Sequence, residues 1–82
     1  MTFGEKLRAF RESQGLTKSE FCEKYGVGLV ASLSIYERNK RVAKLRTVKR
    51  FADACGLRLV DLLSDEDLAI ILEVKENAKS EV

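Results

Sequence analysis

Apolar residues recur three or four positions apart along most of the chain, and this spacing predicts helices rather than strands. Glycine or asparagine follows each of the first four apolar segments, at Gly15, Gly26, Asn39 and Gly56, where a left-handed residue commonly ends a helix. Two segments open with a Thr-x-x-Glu capping box. The pattern therefore predicts an all-α protein of five helices and a short C-terminal sixth, over about residues 2–14, 17–25, 29–38, 46–54, 59–63 and from Ser64 onward.

The length of 82 residues is enough for one small domain. We expect this domain to occupy residues 1–63, and residues 64–82 to form a helix with an acidic start and a frayed end over 77–82. Leu68, Ile71 and Leu72 form an apolar stripe on this last helix. The stripe either packs back on the domain or joins two chains, and we favour dimerisation because the first five helices already resemble a complete unit.

Charge is distributed unevenly along the chain. Residues 1–63 carry 13 Lys and Arg against 7 Asp and Glu, whereas residues 64–82 carry 6 acidic residues against 2 Lys. Residues 36–50 contain a single acidic residue, Glu37, and seven basic residues. The basic residues are Arg38, Lys40, Arg41, Lys44, Arg46, Lys49 and Arg50. A run of charged residues is often only a solvent-exposed surface without a partner. The excess of basic over acidic residues here nevertheless favours a polyanionic partner.

Catalytic and metal-binding chemistry find little support in the sequence. The chain has no histidine and only two cysteines, Cys22 and Cys55, which we expect to be reduced core residues. It has no phosphate-binding glycine loop, so we expect no enzyme activity, no metal and no cofactor. The longest apolar run, at 68–72, is far too short to span a bilayer, and no signal peptide is visible. We therefore expect a soluble, cytoplasmic protein without a membrane partner.

A series of short motifs over residues 3–63 resembles the helix-turn-helix domains of Cro proteins and lambda-type repressors, the Xre-type family. The resemblance implies five helices around one core, with the second helix holding the third against the DNA major groove. The residues that carry it are Arg11, Gly15-Leu16-Thr17, Glu20-Phe21-Cys22, Gly26-Val27, Leu33-Ser34, Tyr36-Glu37, Asn39-Lys40-Arg41, Val48, Phe51-Ala52, Gly56-Leu57 and Asp61-Leu62-Leu63.

The same resemblance implies roles for individual residues. Arg11 and Glu37 correspond to a partly buried salt bridge of the family, which makes Glu37 a structural residue rather than a catalytic acid. With Leu33 in the core, four residues of the third helix correspond to base-contacting positions, and Lys18 corresponds to a position that contacts the DNA backbone. We expect Lys40, Arg41 and Lys44 to contact phosphates as well, and Arg38 or Lys40 to add specificity at the end of the helix. The expected DNA-binding residues are Lys18, Val30, Ala31, Ser34, Ile35, Arg38, Lys40, Arg41 and Lys44.

The third helix departs from the family pattern in two ways. Six residues instead of five separate Gly26 from Leu33, so either the turn or the helix contains one extra residue. Three of the four expected base-contacting side chains cannot form hydrogen bonds, although apolar groups can contact thymine methyls. Leu29 and Val30 are either core or surface residues, and Ile35 is the best candidate for exposure. Gly28 stands where the family often has a capping serine.

Two functions follow from these observations. The first is a sequence-specific regulator that binds a palindromic operator in double-stranded DNA as a homodimer, such as a phage Cro-like repressor or a small controller protein. The alternative is a protein-binding module on the same fold, an anti-repressor or antitoxin-like partner of a repressor protein. In that alternative the apolar third helix docks on the partner, as exposed apolar patches often do.

Overall fold

The computed structural model describes the backbone of residues 1–80 and the side chains of residues 1–74. The described backbone contains six helices and no strand, in agreement with the predicted all-α fold. The helices are α1 (Phe3–Ser13), α2 (Lys18–Tyr25), α3 (Val30–Glu37), α4 (Leu45–Cys55), α5 (Leu59–Leu62) and α6 (Asp65–Ser80).

The helix ends follow the predicted signals closely. Thr2 and Thr17 each accept a hydrogen bond from the backbone N–H of the glutamate three residues later, and that glutamate side chain accepts one in return. Gly26 and Gly56 end α2 and α4 in the left-handed conformation. The sixth helix differs from the prediction, because α6 has 16 residues and is the longest described helix. Its backbone is helical to Ser80, and the rest of the expected frayed end lies outside the described residues.

The core lies between the first five helices. Its largest fully buried side chains are Phe21, Phe51, Leu7, Leu33, Leu62, Leu63 and Val48. Two groups of aromatic rings surround this centre, one formed by Phe3, Tyr36 and Phe51 and the other by Phe10, Phe21 and Tyr25. Because every one of these helices contributes apolar side chains to the same cluster, the position of α3 is fixed by the core.

The helices α1 and α3 approach each other closely at Gly4. A Cβ atom at this position would lie 1.8 Å from the carbonyl oxygen of Tyr36, so only glycine fits. The end of α3 is closed by Asn39, which has a φ of 57°, and the N–H of Lys40 bonds the carbonyl of Ile35 in a Schellman motif. Thr2 donates a hydrogen bond to the Asn39 side chain at 2.7 Å. The start of α1 is thereby joined to the end of α3.

The start of α6 is held against α1, because Asp65 pairs with Lys6 at 3.0 Å and donates its backbone N–H to the Met1 carbonyl. Of the stripe predicted for dimerisation, Ile71 packs against the core, Leu68 is half-buried and Leu72 is exposed. Two more apolar residues of this helix, Ile70 and Val74, are exposed. Within the part of the chain that the structure describes, no helix combines the length and the apolar character needed to cross a membrane.

Candidate nucleic-acid interface

The turn between α2 and α3 contains the extra residue. Leu29 is the N-cap of α3, four residues before the buried Leu33, and Gly28 precedes it with a φ of 97°. Since a side chain rarely tolerates that φ, glycine allows the longer turn. Helix α3 therefore keeps its spacing to the core, and the inserted residue lies before its first turn.

This arrangement corrects two expectations about α3, on Gly28 and Ile35, and settles the alternative left open for Leu29 and Val30. Gly28 is not its cap, and Leu29 caps it without any side-chain hydrogen bond. Leu29 and Val30 are not core residues, since their side chains are 73% and 40% exposed. Ile35 is half-buried rather than the most exposed apolar residue, although residues two positions apart do not share a side of a helix.

Helix α3 nevertheless has a solvent-facing side that contains most of the predicted base-contacting residues. Val30 and Ala31 are exposed, and Ser34, one turn later, is half-buried. Lys18, the first residue of α2, donates a hydrogen bond from Nζ to Ser34 Oγ at 3.2 Å. The structure thus joins a predicted phosphate-contacting residue directly to a predicted base-contacting one.

A buried ion pair holds α3 from the opposite side. Arg11 donates from Nε and Nη2 to the two carboxylate oxygens of Glu37, at 2.9 and 2.8 Å. Its Nη1 donates to the carbonyl of Leu16 at 2.9 Å, so one guanidinium fixes α1, the turn before α2 and the end of α3. The hydrogen bonds to Glu37 raise the pKa of Arg11, and both side chains are buried. The Glu37 carboxylate is thereby paired and almost completely shielded from solvent.

Basic residues follow α3 directly in the chain. Arg38 ends the helix, Lys40 and Arg41 lie in the loop to α4, and Lys44 is the N-cap of α4. All four are exposed, and none pairs with an acid among residues 1–74. By contrast, Lys49 pairs with Asp53 one turn later on α4. The unpaired charges are therefore concentrated around the end of α3.

Three exposed apolar residues of this region lie outside the predicted DNA-binding set. They are Leu29 before α3, Val42 in the α3–α4 loop, which is 91% exposed, and Leu45 at the start of α4. No sequence signal marked Leu29 as exposed, because a spacing of four from Leu33 also fits a residue on the buried side of a helix. Val42 and Leu45 gave no signal either.

The cysteines are free, with Cys22 buried and Cys55 half-buried. Burial raises the pKa of the Cys22 thiol and raises that of Cys55 to about 11, so both are protonated near neutral pH. Among the described residues no group of three or more His, Cys, Asp or Glu side chains is placed to hold a metal ion.

Comparison with known proteins places this arrangement in a family. A family model described as a helix-turn-helix domain matches residues 2–65. The chain is also 30% identical over 77 residues to the cryptic phage CTXphi transcriptional repressor RstR of Vibrio cholerae, covering 94% of this chain and 68% of that protein. No solved structure matches. With its α2–turn–α3 unit and the matched residues 2–65, the chain belongs to the helix-turn-helix domain family of the Cro and lambda-repressor type.

Proposed function

We propose that this protein is a transcriptional regulator that binds double-stranded DNA in a sequence-specific manner, with α3 in the major groove. The observation that carries the proposal is the solvent-facing side of α3, which has Lys18 on one side and unpaired basic residues at its end. Phosphates on both sides of the groove would contact these charges, while the helix contacts base edges. The similarity to a phage transcriptional repressor supports repression as the form of regulation.

The proposed DNA-bound form is a homodimer on a palindrome. One unit of this size offers a small contact surface, and two-fold dimers of such units bind half-sites about one helical turn apart. Helix α6 supplies a candidate dimer contact, because Leu72 of its apolar stripe is exposed, while Ile70 and Val74 are exposed one turn apart on another side of the helix. Large exposed apolar groups often mark a contact surface, and a second copy would cover them.

A docking surface for a repressor protein is the second candidate function. Leu29, Val42 and Leu45 are large, exposed and apolar, and such groups often mark protein contacts. The two candidates differ in their need for charge. Phosphate binding depends on the unpaired basic residues after α3, whereas apolar docking depends on Leu29 and its neighbours.

The experiment is selection of bound duplexes from a random DNA pool, followed by anisotropy measurements with the selected sequences at several salt concentrations. We expect a palindrome whose affinity falls steeply with salt, by a slope of about 0.9 per phosphate contact on logarithmic axes. Changing the distance between half-sites by half a helical turn should abolish binding. The absence of any enriched sequence would refute the proposal and favour protein docking.

A charge-matched pair of variants provides the control. Replacing Lys40 and Arg41 with alanine removes two unpaired charges and should weaken binding at least tenfold with a smaller salt slope. Replacing Lys49 and Arg58 removes the same net charge, but these side chains are already paired with Asp53 and Asp61. Equal loss in the two double variants would show that only net charge matters.

A second control addresses the dimer. We expect Leu72→Glu to give a monomer in sedimentation equilibrium, because a charge cannot be buried in an apolar contact. Val60→Glu places the same charge on an exposed apolar position of α5, outside the proposed contact, and should leave the dimer intact. Dimers that persist in Leu72→Glu would exclude the side of α6 that contains Leu72.

A further inference from the structure

The hydrogen bond between Lys18 and Ser34 limits what the Ser34 hydroxyl can do. An ammonium group only donates, so Ser34 Oγ is the acceptor of the 3.2 Å bond. Among the described side chains and backbone groups, the Ser34 hydroxyl donates to none, whereas the hydroxyl of Ser13 donates to the carbonyl of Phe10. The proton of Ser34 is therefore free to be donated to a group in front of α3.

Unassisted serine can donate to or accept from a base, and so distinguishes bases poorly. With a lone pair engaged by Lys18, the Ser34 hydroxyl favours a partner that accepts. In the major groove, thymine O4, guanine O6 and the purine N7 atoms accept, whereas the amino groups of cytosine and adenine donate. The contact thus disfavours the amino group of cytosine at this position.

Apolar side chains lie one turn before this hydroxyl on the same side of the helix. Ala31 and Val30 precede Ser34 by three and four positions, so their Cβ atoms are neighbours of its Cβ atom, about 5–6 Å away. Both are exposed. Helix α3 therefore presents a hydroxyl donor beside a small apolar surface. Thymine has the matching pair on its major-groove edge, the O4 acceptor and the adjacent C5-methyl group.

We infer that α3 recognises thymine, with Ser34 donating to O4 and Ala31 and Val30 packing against the 5-methyl group. The inference rests on the proposed DNA-binding function and names the base that it selects. The charges around the apolar surface favour DNA over a protein as the occupant, because Lys18 lies beside Ser34 and Arg38 ends α3. A phosphate backbone complements these charges.

The test uses base analogues in the selected operator. Replacing each thymine in turn with deoxyuridine removes only the methyl group, and we expect affinity to fall about three- to fourfold at the recognised position, the effect of one buried methyl group. Replacing the same T·A pair with 5-methylcytosine·G keeps the methyl group but replaces the O4 acceptor with an amino donor. We expect this replacement to lower the affinity about fivefold or more relative to the T·A pair, the effect of one hydrogen bond.

Variants separate the two contacts. Ser34→Ala should remove the preference for thymine over 5-methylcytosine while leaving the preference for thymine over deoxyuridine unchanged. Lys18→Met should reduce the preference for thymine over 5-methylcytosine, since Lys18 no longer competes with the 5-methylcytosine amino group as a donor to the hydroxyl. Any loss of affinity through the missing charge should be the same for both bases. Ser32→Ala, at an exposed position of the same helix, is the matched control and should change neither ratio.

Each outcome distinguishes the inference from the proposed function. If the protein binds a selected operator but tolerates deoxyuridine and 5-methylcytosine at every position, the inference is wrong and DNA binding stands. The same conclusion follows if Ser34→Ala retains the preference for thymine over 5-methylcytosine. If no duplex is selected, the proposed function fails. Circular dichroism of each variant excludes loss of folding as the cause of a lost preference.

Discussion

Substitution of Gly4 by alanine tests how α3 is held in place. Alanine is a better helix former than glycine by about 1 kcal/mol, so propensity alone predicts a more stable protein. The structure predicts the opposite. The new Cβ atom would lie 1.8 Å from the carbonyl oxygen of Tyr36 and 2.7 Å from its carbonyl carbon, whereas real Cβ contacts essentially never fall below 3.0 Å.

The clash cannot be relieved by a side-chain rotation, because the atoms it meets belong to the backbone of α3. The Tyr36 carbonyl also accepts the N–H of Asn39 at 3.0 Å in the turn that ends α3. Helices α1 and α3 must therefore move apart by more than 1 Å, from 1.8 to at least 3.0 Å between these atoms. This movement would disturb the packing of Phe3 on Tyr36, whose ring centroids are 5.6 Å apart.

Overpacking costs about 1–3 kcal/mol, and we expect the upper end, about 3 kcal/mol, because two helix backbones must move; this outweighs the gain of about 1 kcal/mol in propensity. A domain of 82 residues has a total unfolding free energy of about 4–12 kcal/mol, so the loss is a large fraction of it. We expect a net destabilisation of about 2 kcal/mol and a melting temperature lower by about 8–16 °C.

Urea unfolding followed by circular dichroism measures the effect. Ala9→Gly, at an exposed position of the same helix, is the control and should cost about 1 kcal/mol through propensity alone. The two substitutions are chemical inverses, yet both should destabilise the protein. A Gly4→Ala variant as stable as the original protein, or more stable, would refute the close approach of α1 and α3.

Three further predictions concern ionisable groups. Removing one partner of the buried ion pair, in Arg11→Met or Glu37→Gln, should cost about 3–5 kcal/mol in urea unfolding, because it leaves its partner unpaired. A double variant with both substitutions that loses the sum of the two single losses would contradict coupling between the two side chains. Hydrogen bonds from the backbone N–H groups of the capping threonines lower the pKa of Glu5 and Glu20. Their stabilising contribution is therefore complete above pH 4.5, the ordinary value, and is lost as pH falls through the lowered pKa. In Glu5→Gln and Glu20→Gln, the free energy of unfolding should therefore fall less than in the original protein as the pH is lowered. Since burial raises the pKa of Cys55 to about 11, its alkylation at pH 8 should be much slower than that of a free thiol; equal rates in a mass-spectrometric time course would show that the site is open.

The helices could be predicted because their determinants are local. Capping boxes at Thr2 and Thr17, left-handed stops at Gly26 and Gly56 and the apolar period lie within a few residues of the structure they specify. The length of α6 could not be predicted in the same way, because no glycine or asparagine at the end of its apolar stripe marked a stop. The polar residues that follow the stripe therefore contained no signal for where the helix ends.

The solvent-facing side of α3 depended on contacts that the local pattern does not contain. The periodicity of this helix is weak because Leu29, Val30 and Ile35 are apolar on several sides, so sequence alone left their burial open. Only the packing of Leu33 in the core, with Gly28 absorbing the extra residue, decided that Leu29 and Val30 are exposed while Ile35 is half-buried.

The sequence by itself determined the fold class, the helix order and the concentration of positive charge after α3, since each depends on residue type and short-range spacing. Tertiary structure alone decided how distant residues meet. The hydrogen bond from Lys18 to Ser34 spans 16 positions, and the contact of Gly4 with Tyr36 spans 32. Such contacts arise from the crossing of helices around a shared core, and that crossing determines which side chains α3 presents to a partner.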